Sequence, residues 1–218
     1  MSWNSNLADL PEIARLKQET PVGSLVVMPV SPLDYRYGRD VSKEIWSREG
    51  RHARSLEVER ALIWAHSKMG RVSPEDYDAI AEIADPGIVT ADRVDELEAE
   101  TKHDIMALTK AMAEAAGEAG WCVHLGATSN DIVDSAVALQ IKDSISLQEK
   151  STIKLIETLC EIAEREKDTV MLGRTHGQAA VPITFGLKVA VWIDEMRRHL
   201  ERLRELRPRC ITGKFLGA

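Results

Sequence analysis

At 218 residues, the chain is long enough to bury a core as one large domain or two small ones. Its 44% hydrophobic and 29% charged residues are typical of a soluble globular protein. The net charge of −7 argues against nucleic acid as the main partner, because phosphate binding needs a basic excess on one face. No apolar run approaches the roughly 18 residues that a membrane span needs, so no membrane partner is expected.

The cysteines Cys122, Cys160 and Cys210 are odd in number and lack the spacing of a metal site. No secretory signal peptide is recognisable, so three reduced thiols in a cytoplasmic protein are the expectation. We expect neither a metal nor another cofactor.

The first elements are separated by glycine and proline. Residues 1–30 have the character of an extension, and a polar, turn-rich stretch follows at 31–38. Apolar residues at helical spacing then predict one helix over 42–69, which Gly70 ends.

Two further helices are predicted before residue 117. Ser73 followed by proline and two acids marks the start of a short helix. Thr90 or Asp92 opens the next helix, which is predicted to run through His103 to about Ala116.

The second half of the chain predicts two much longer helices. Residues 129–167 contain no glycine or proline, and a helix of nearly forty residues is about 55–60 Å long. A second long helix is predicted from Pro182 to Leu206, with Pro208 ending it. Two helices of this length cannot cover their own apolar stripes, so they predict a bundle and partner subunits.

These patterns predict an all-α protein in three parts. They are an N-terminal extension at 1–30, an N-terminal helical domain at 31–126 and the first long helices of a bundle domain at 127–218.

Three short polar segments, each with a histidine, lie beside the predicted long helices. They read Thr101-Lys102-His103-Asp104, His124-Leu125-Gly126-Ala127-Thr128-Ser129-Asn130-Asp131 and Gly173-Arg174-Thr175-His176-Gly177-Gln178. Imidazoles, hydroxyls, cations and glycines can hold an anionic substrate and move a proton near neutral pH. Together the segments predict an active site assembled from separated parts of the chain.

The second segment precedes the longest helix. The free N–H groups of a helix start, with the hydroxyls of Thr128 and Ser129, can hold a phosphate or carboxylate. Simple N-capping is the alternative, but the nearby His124 and Gly126 favour a ligand site. From its own segment alone, His103 is better interpreted as a surface histidine inside a helix.

His176 lies in a glycine-bounded loop after Arg174, a position typical of a general acid or base. Arg36 and Tyr37 suit a phosphate or a base ring, although a surface turn is the simpler interpretation. The remaining histidines are interpreted as structural: His52, His66 and His199.

These segments resemble the adenylosuccinate lyase family of the fumarase/aspartase superfamily, most closely its archaeal type. The resemblance extends from Ser31 to Ala218, and the three histidine segments are its most specific parts. Sister enzymes usually carry leucine at the position of Gly177. The Thr-Ser stretch and residues 181–188 also resemble carboxymuconate cycloisomerase, which is the sharpest alternative.

The resemblance implies a β-elimination that releases fumarate from a nucleotide-linked succinate. The substrates would be adenylosuccinate, which gives AMP, and the succinyl-carboxamide ribotide of purine biosynthesis. The general acid that protonates the departing nitrogen would be His176. The implied substrate-binding residues are Arg36, Tyr37, Lys102, His103, Asp104, His124, Thr128, Ser129 and Gln178.

In this family the catalytic base is a serine on a mobile loop, in a segment not found here before Ala218. The resemblance therefore implies that the chain carries part of a site and is inactive alone. It also implies a homotetramer in which each active site draws on three protomers. A related lyase or cycloisomerase with another substrate, or a non-catalytic helical assembly module, stays open as an alternative.

Overall fold

The structure is a computed structural model that describes residues 37–217. Arg36 and the predicted extension at 1–30 lie outside the described residues. Within them, the predicted helical class is confirmed, with one small antiparallel sheet added. The elements are α1 (Asp40–Trp46), α2 (Arg48–Lys68), α3 (Pro74–Ile83), α4 (Ala91–Thr101), α5 (Asp104–Ala116), a 3₁₀ helix (Gly117–Cys122), α6 (Ser129–Arg165), β1 (Val170–Thr175), β2 (Gln178–Thr184) and α7 (Phe185–Cys210).

The described residues separate into two compact units. We call residues 37–144 with 210–217 the N-terminal unit, and Ile145–Arg209 the hairpin unit. The division falls inside α6, after Ser144, and therefore later than the predicted domain boundary at residue 126. The domains at 31–126 and 127–218 stay predictions.

The N-terminal unit has a continuous apolar core built from α2 to α5, the 3₁₀ helix and the start of α6. Helix α2 buries one face, and Leu56 and Ile63 on that face are fully buried. The same face also buries Glu59 and His66, which are polar. Other fully buried apolar side chains include Ile80, Met112 and Cys122.

The predicted single helix over 42–69 is wrong, because the chain breaks at Ser47 and forms α1 and α2 instead. The Ser47 Oγ accepts a hydrogen bond from the N–H of Gly50 at 2.9 Å and caps α2. A Cβ at Gly50 would stand 2.1 Å from the carbonyl oxygen of Glu44, so the close turn between the two helices requires glycine.

The predicted continuous helix through His103 is also wrong. Lys102 has a left-handed backbone with φ of 56° and ends α4, and His103 is the N-cap of α5. The sequence gives no glycine or proline at this break, which is why periodicity alone predicted one helix.

Strands β1 and β2 form a hairpin that the sequence analysis missed. Pro182 lies in β2, paired with Leu172, so the predicted helix start at Pro182 is wrong and α7 begins at Phe185. Both strands of a two-stranded sheet are edges, where proline is tolerated. Pro208 likewise does not end the last helix, because α7 continues to Cys210.

Polar contacts connect α6 and α7 within the hairpin unit. Arg207 Nη2 donates to Ser146 Oγ at 2.8 Å and to Glu149 Oε2 at 2.7 Å, which ties the end of α7 to α6. At the other end of α7, a Cβ on Gly186 would stand 2.6 Å from the carbonyl oxygen of Ala163.

Among the described helices, none combines the length and the apolar character needed to cross a membrane.

Candidate active site

The loop that carries His124 connects the 3₁₀ helix to α6. His124 and Gly126 both have positive φ, 64° and 69°, so the chain turns sharply here. Two buried side chains of α2 hold this loop. Glu59 Oε1 lies 2.6 Å from His124 Nδ1, and His66 Nε2 lies 2.8 Å from the carbonyl oxygen of Leu125.

The hydrogen bond that His124 donates to Glu59 favours the charged form of the imidazole. It raises the pKa of the imidazole, burial opposes that rise, and the negative charges of Glu59 and Asp131 add to it. The positively charged form of His124 therefore persists to higher pH than in an ordinary histidine, which suits contact with an anion. The pKa shift thus supports the predicted substrate-binding role of His124, which stays a prediction.

Sequence analysis did not identify Glu59. The sequence feature that could have identified it is its position between Leu56 and Ile63 on the buried face of α2, where a carboxylate is uncommon.

The start of α6 uses some of the donors that were expected to bind an anion. Asp131 Oδ2 accepts from the N–H of Thr128 at 3.0 Å, and the Asp131 N–H donates to the Thr128 carbonyl at 2.8 Å. The backbone N–H groups of Leu216 and Gly217 also donate to Asp131, at 2.9 and 3.0 Å. Burial alone would raise the pKa of Asp131, but these donors and Lys214 lower it. The Thr128 hydroxyl, rather than its N–H, is thus the group left for a ligand.

His103 links the first and second polar segments. Its Nδ1 accepts from the N–H of Met106 at 3.3 Å as the cap of α5, and its Nε2 lies 3.3 Å from Ser129 Oγ. With Nδ1 as acceptor, the proton assigned by this network is on Nε2, which donates to Ser129. The Ser129 hydroxyl hydrogen is then free to point at an anion.

A competing contact places His103 Nδ1 3.5 Å from Asp104 Oδ1. The cap geometry is the better description, because Asp104 Oδ1 already accepts from the N–H of Ile105 at 2.8 Å. The other oxygen of Asp104 lies 3.5 Å from Arg51 Nη2. The predicted residues Lys102 and Tyr37 are both exposed.

His176 and Gln178 belong to the hairpin unit. His176 and Gly177 occupy the two-residue turn between the strands, with φ of 50° and 74°, the pattern of a type I′ turn. His176 is exposed, and Gln178 pairs with Thr175 as the first residue of β2. Arg174 Nη1 donates to the Gly177 carbonyl at 3.4 Å across the turn.

Backbone strain marks all three polar segments. Across residues 37–217, the non-glycine residues with positive φ are Lys102, His124 and His176, one in each segment. Such conformations cost on the order of 1 kcal/mol or more each and cluster at functional sites. The same part of the chain holds no group of three or more His, Cys, Asp or Glu side chains arranged for a metal ion.

Comparison with known proteins identifies the family of this chain. A protein-family model described as lyase matches residues 34–218. The chain is 49% identical over 191 residues to the adenylosuccinate lyase of Pyrococcus abyssi, covering 88% of this chain and 42% of that protein. It therefore spans about two fifths of the length of this curated relative. The predicted similarity to archaeal adenylosuccinate lyases is confirmed.

Two further proteins are similar to this chain in sequence or in structure. The N-acetyl-S-(2-succino)cysteine lyase of Enterococcus italicus is 40% identical over 176 residues, covering 81% of this chain and 39% of that protein. The crystal structure of the 3-carboxy-cis,cis-muconate lactonizing enzyme of Pseudomonas putida matches with a TM-score of 0.76 and 34% identity. That match covers 86% of this chain and 43% of the other.

Proposed function

Because this chain belongs to the lyase family, we propose that it is the N-terminal part of an adenylosuccinate lyase. The reaction is the elimination of fumarate from adenylosuccinate to give AMP, and from the succinyl-carboxamide ribotide of purine biosynthesis.

One structural observation carries the proposal beyond sequence similarity. Each of the three polar segments contains one non-glycine residue with positive φ: Lys102, His124 or His176. A strained side-chain-bearing residue persists only where its surroundings fix it, and such fixing is what positioned binding and catalytic groups need.

In this proposal the bond between the succinyl carbon and the nucleotide nitrogen breaks. A base takes a proton from the neighbouring succinyl carbon, the electron pair forms the double bond of fumarate, and His176 gives a proton to the departing nitrogen. His124 in its charged form, with the hydroxyls of Thr128 and Ser129, holds substrate carboxylate or phosphate groups. Lys102, His103, Asp104, Arg36 and Tyr37 line the nucleotide side, and Gln178 contacts the substrate beside His176.

The proposal includes the family's serine base and its homotetramer, with each site built from three protomers. We infer that residues 1–218 alone do not turn over substrate, because they lack a segment resembling that serine loop.

The test is fumarate release from adenylosuccinate by the full-length protein that contains this chain, followed by ultraviolet absorbance. His176→Ala should lower kcat by about 10²–10⁴-fold with less change in KM, since a general acid acts in the transition state. The matched control is His199→Ala, an exposed histidine of α7. A His176→Ala rate within threefold of the wild type would remove His176 from the acid role.

A second candidate is fumarate release from a different succinyl donor. The 40% identity to a lyase named for a succinylated cysteine derivative favours it. Parallel assays with adenylosuccinate and a succinylated cysteine separate these candidates, and lactone formation from carboxymuconate tests the cycloisomerase alternative. The substrate with the highest kcat/KM identifies the reaction.

A further inference from the structure

We propose that Glu59 is a positioning residue for the substrate-binding imidazole of His124, a role that rests on the proposed function. Glu59 lies on α2, 65 positions before its partner in the chain. No sequence pattern joins the two residues, and the contact exists only in the folded N-terminal unit.

The first support is the burial of the carboxylate. Glu59 is 0% exposed, and its Oε2 has no hydrogen-bond partner among the described residues. A buried charge that is only partly paired costs stability, and an apolar side chain between Leu56 and Ile63 would pack at lower cost. Core packing therefore does not explain a glutamate at this position.

The second support is the geometry of the pair. The 2.6 Å distance from Glu59 Oε1 to His124 Nδ1 is that of a charge-assisted hydrogen bond, in which Nδ1–H donates to the carboxylate. This bond fixes the orientation of the ring, as a carboxylate does for a ligating or catalytic histidine elsewhere. Within residues 37–217, His124 Nε2 has no hydrogen-bond partner, so Nε2 is the atom that can contact a substrate anion.

A second contact from α2 holds the backbone of the same loop, independently of the His124 ring. His66 lies seven residues after Glu59 on the same buried face of α2 and bonds the backbone of Leu125. The loop is thus held at the backbone by His66, whereas the imidazole is held by Glu59. Asp131 of α6 is the other carboxylate whose charge acts on His124.

The kinetic test uses Glu59→Gln in the full-length protein, with Glu57→Gln as matched control. Glu57 is on the same helix but is partly exposed and pairs with Arg54. Loss of a charge-assisted hydrogen bond to a binding group predicts a rise in KM of about 10–100-fold with kcat within roughly threefold, and Glu59→Asp should recover part of it. A Glu59→Gln enzyme with the KM of the wild type would overturn the proposal.

A second measurement does not depend on the substrate. Nitrogen-15 NMR of the 218-residue chain reports the tautomer and titration of His124. The Glu59→Gln variant should lower the midpoint of the His124 titration, and Glu57→Gln should leave it in place. An unchanged His124 titration in Glu59→Gln would overturn the positioning role even if adenylosuccinate is cleaved. A lowered midpoint in a protein that does not cleave adenylosuccinate would support the Glu59–His124 coupling and overturn the proposed reaction.

Discussion

The two units bury their apolar residues very differently. In the N-terminal unit, side chains from α2 to α6 form one continuous core, and Leu56, Ile63, Ile80 and Met112 are fully buried. In the hairpin unit the buried apolar residues are Ile145, Ile156, Val189 and Leu200, and they are spread along two long helices.

Both units expose some large apolar side chains, but in the hairpin unit they accompany few buried ones. Leu187 is 57% and Val191 61% exposed on α7, and Val170 and Val181 of the hairpin are 73% and 72% exposed. An exposed apolar stripe of this kind is typical of a surface that another chain covers. The N-terminal unit therefore has the core of a self-supporting fold, while the hairpin unit is the part for which partner subunits were predicted.

The largest expected effect comes from opening a cavity in the core of the N-terminal unit. Ile63→Ala should lower the free energy of unfolding by about 2–5 kcal/mol, because the fully buried side chain leaves a cavity. Val191→Ala in the hairpin unit should change it by no more than about 0.5 kcal/mol in dilute protein. Urea unfolding followed by circular dichroism measures both, and equal losses would contradict the comparison.

Next in size is the close approach at the start of α7. Gly186→Ala should destabilise the hairpin unit by about 1–3 kcal/mol, because its Cβ would overlap the Ala163 carbonyl and the backbone of Lys167. Gly87→Ala is the control, since its new Cβ meets only the movable side chain of Asp85. Hydrogen exchange localises the loss, which should be confined to residues 145–209.

Substitutions in the two units should affect self-association differently. Val191→Asp should weaken self-association about tenfold or more, because a buried unpaired charge at an interface costs over 1 kcal/mol. Ile88→Asp makes the same change at a residue of the N-terminal unit that is 52% exposed, and should leave the association unchanged. Sedimentation equilibrium compares them, and a monomeric wild type at micromolar concentration would contradict the predicted assembly.

The burial of side chains also decides which residue of α6 should be substituted to test association. Ile156 is buried within the chain, so a polar residue there would disturb the packing of the chain itself. Leu155, which is exposed, is the more informative position to change.

A smaller effect is expected at the cap of α5. His103→Ala should cost about 1 kcal/mol, because the Met106 N–H loses its acceptor. His103→Asn keeps a capping side chain and should restore most of that stability, while the contact from Nε2 to Ser129 is lost. Thermal unfolding measures the loss of stability in each variant. If asparagine proved as destabilising as alanine, His103 would not act as a cap.

The smallest expected effect is on the pH dependence of stability. The Glu59 hydrogen bond raises the pKa of His124 against the opposing effect of burial, so the charged form is favoured in the folded state. The pair therefore contributes its full stability below the ordinary histidine pKa of about 6.5, and this is lost as pH rises through the raised value. His124→Gln should weaken the dependence of the melting temperature on pH in that range. A slope unchanged in His124→Gln would assign the pH dependence to another group.

The Asp131 carboxyl acts in a different pH window. Burial would raise its pKa, but the backbone donors and Lys214 lower it below the ordinary aspartate value. Its stabilising effect is therefore present above that ordinary value and lost as pH falls through the lowered one. The acid limb of the stability curve should consequently be unaffected by His124→Gln.

Local sequence determined the helical class, the long α6 and the three polar segments that carry His103, His124 and His176. Helical periodicity and polar clusters depend on residues near one another in the chain, so they can be read without the fold. The same local signals failed at Lys102 and Pro182. A left-handed lysine and a proline in an edge strand both lie within what their residue types allow, and neighbouring contacts decided between the options.

Only the tertiary structure decided which residues of the candidate site lie together. Glu59 is one of many glutamates in the sequence, and its contact with His124 depends on α2 packing against a loop 65 positions later. The contact of His103 with Ser129 likewise required a helix break and the start of α6 to meet. Such pairings are set by packing across the core, where a residue's partner is fixed by shape and burial and leaves no periodic trace in the sequence.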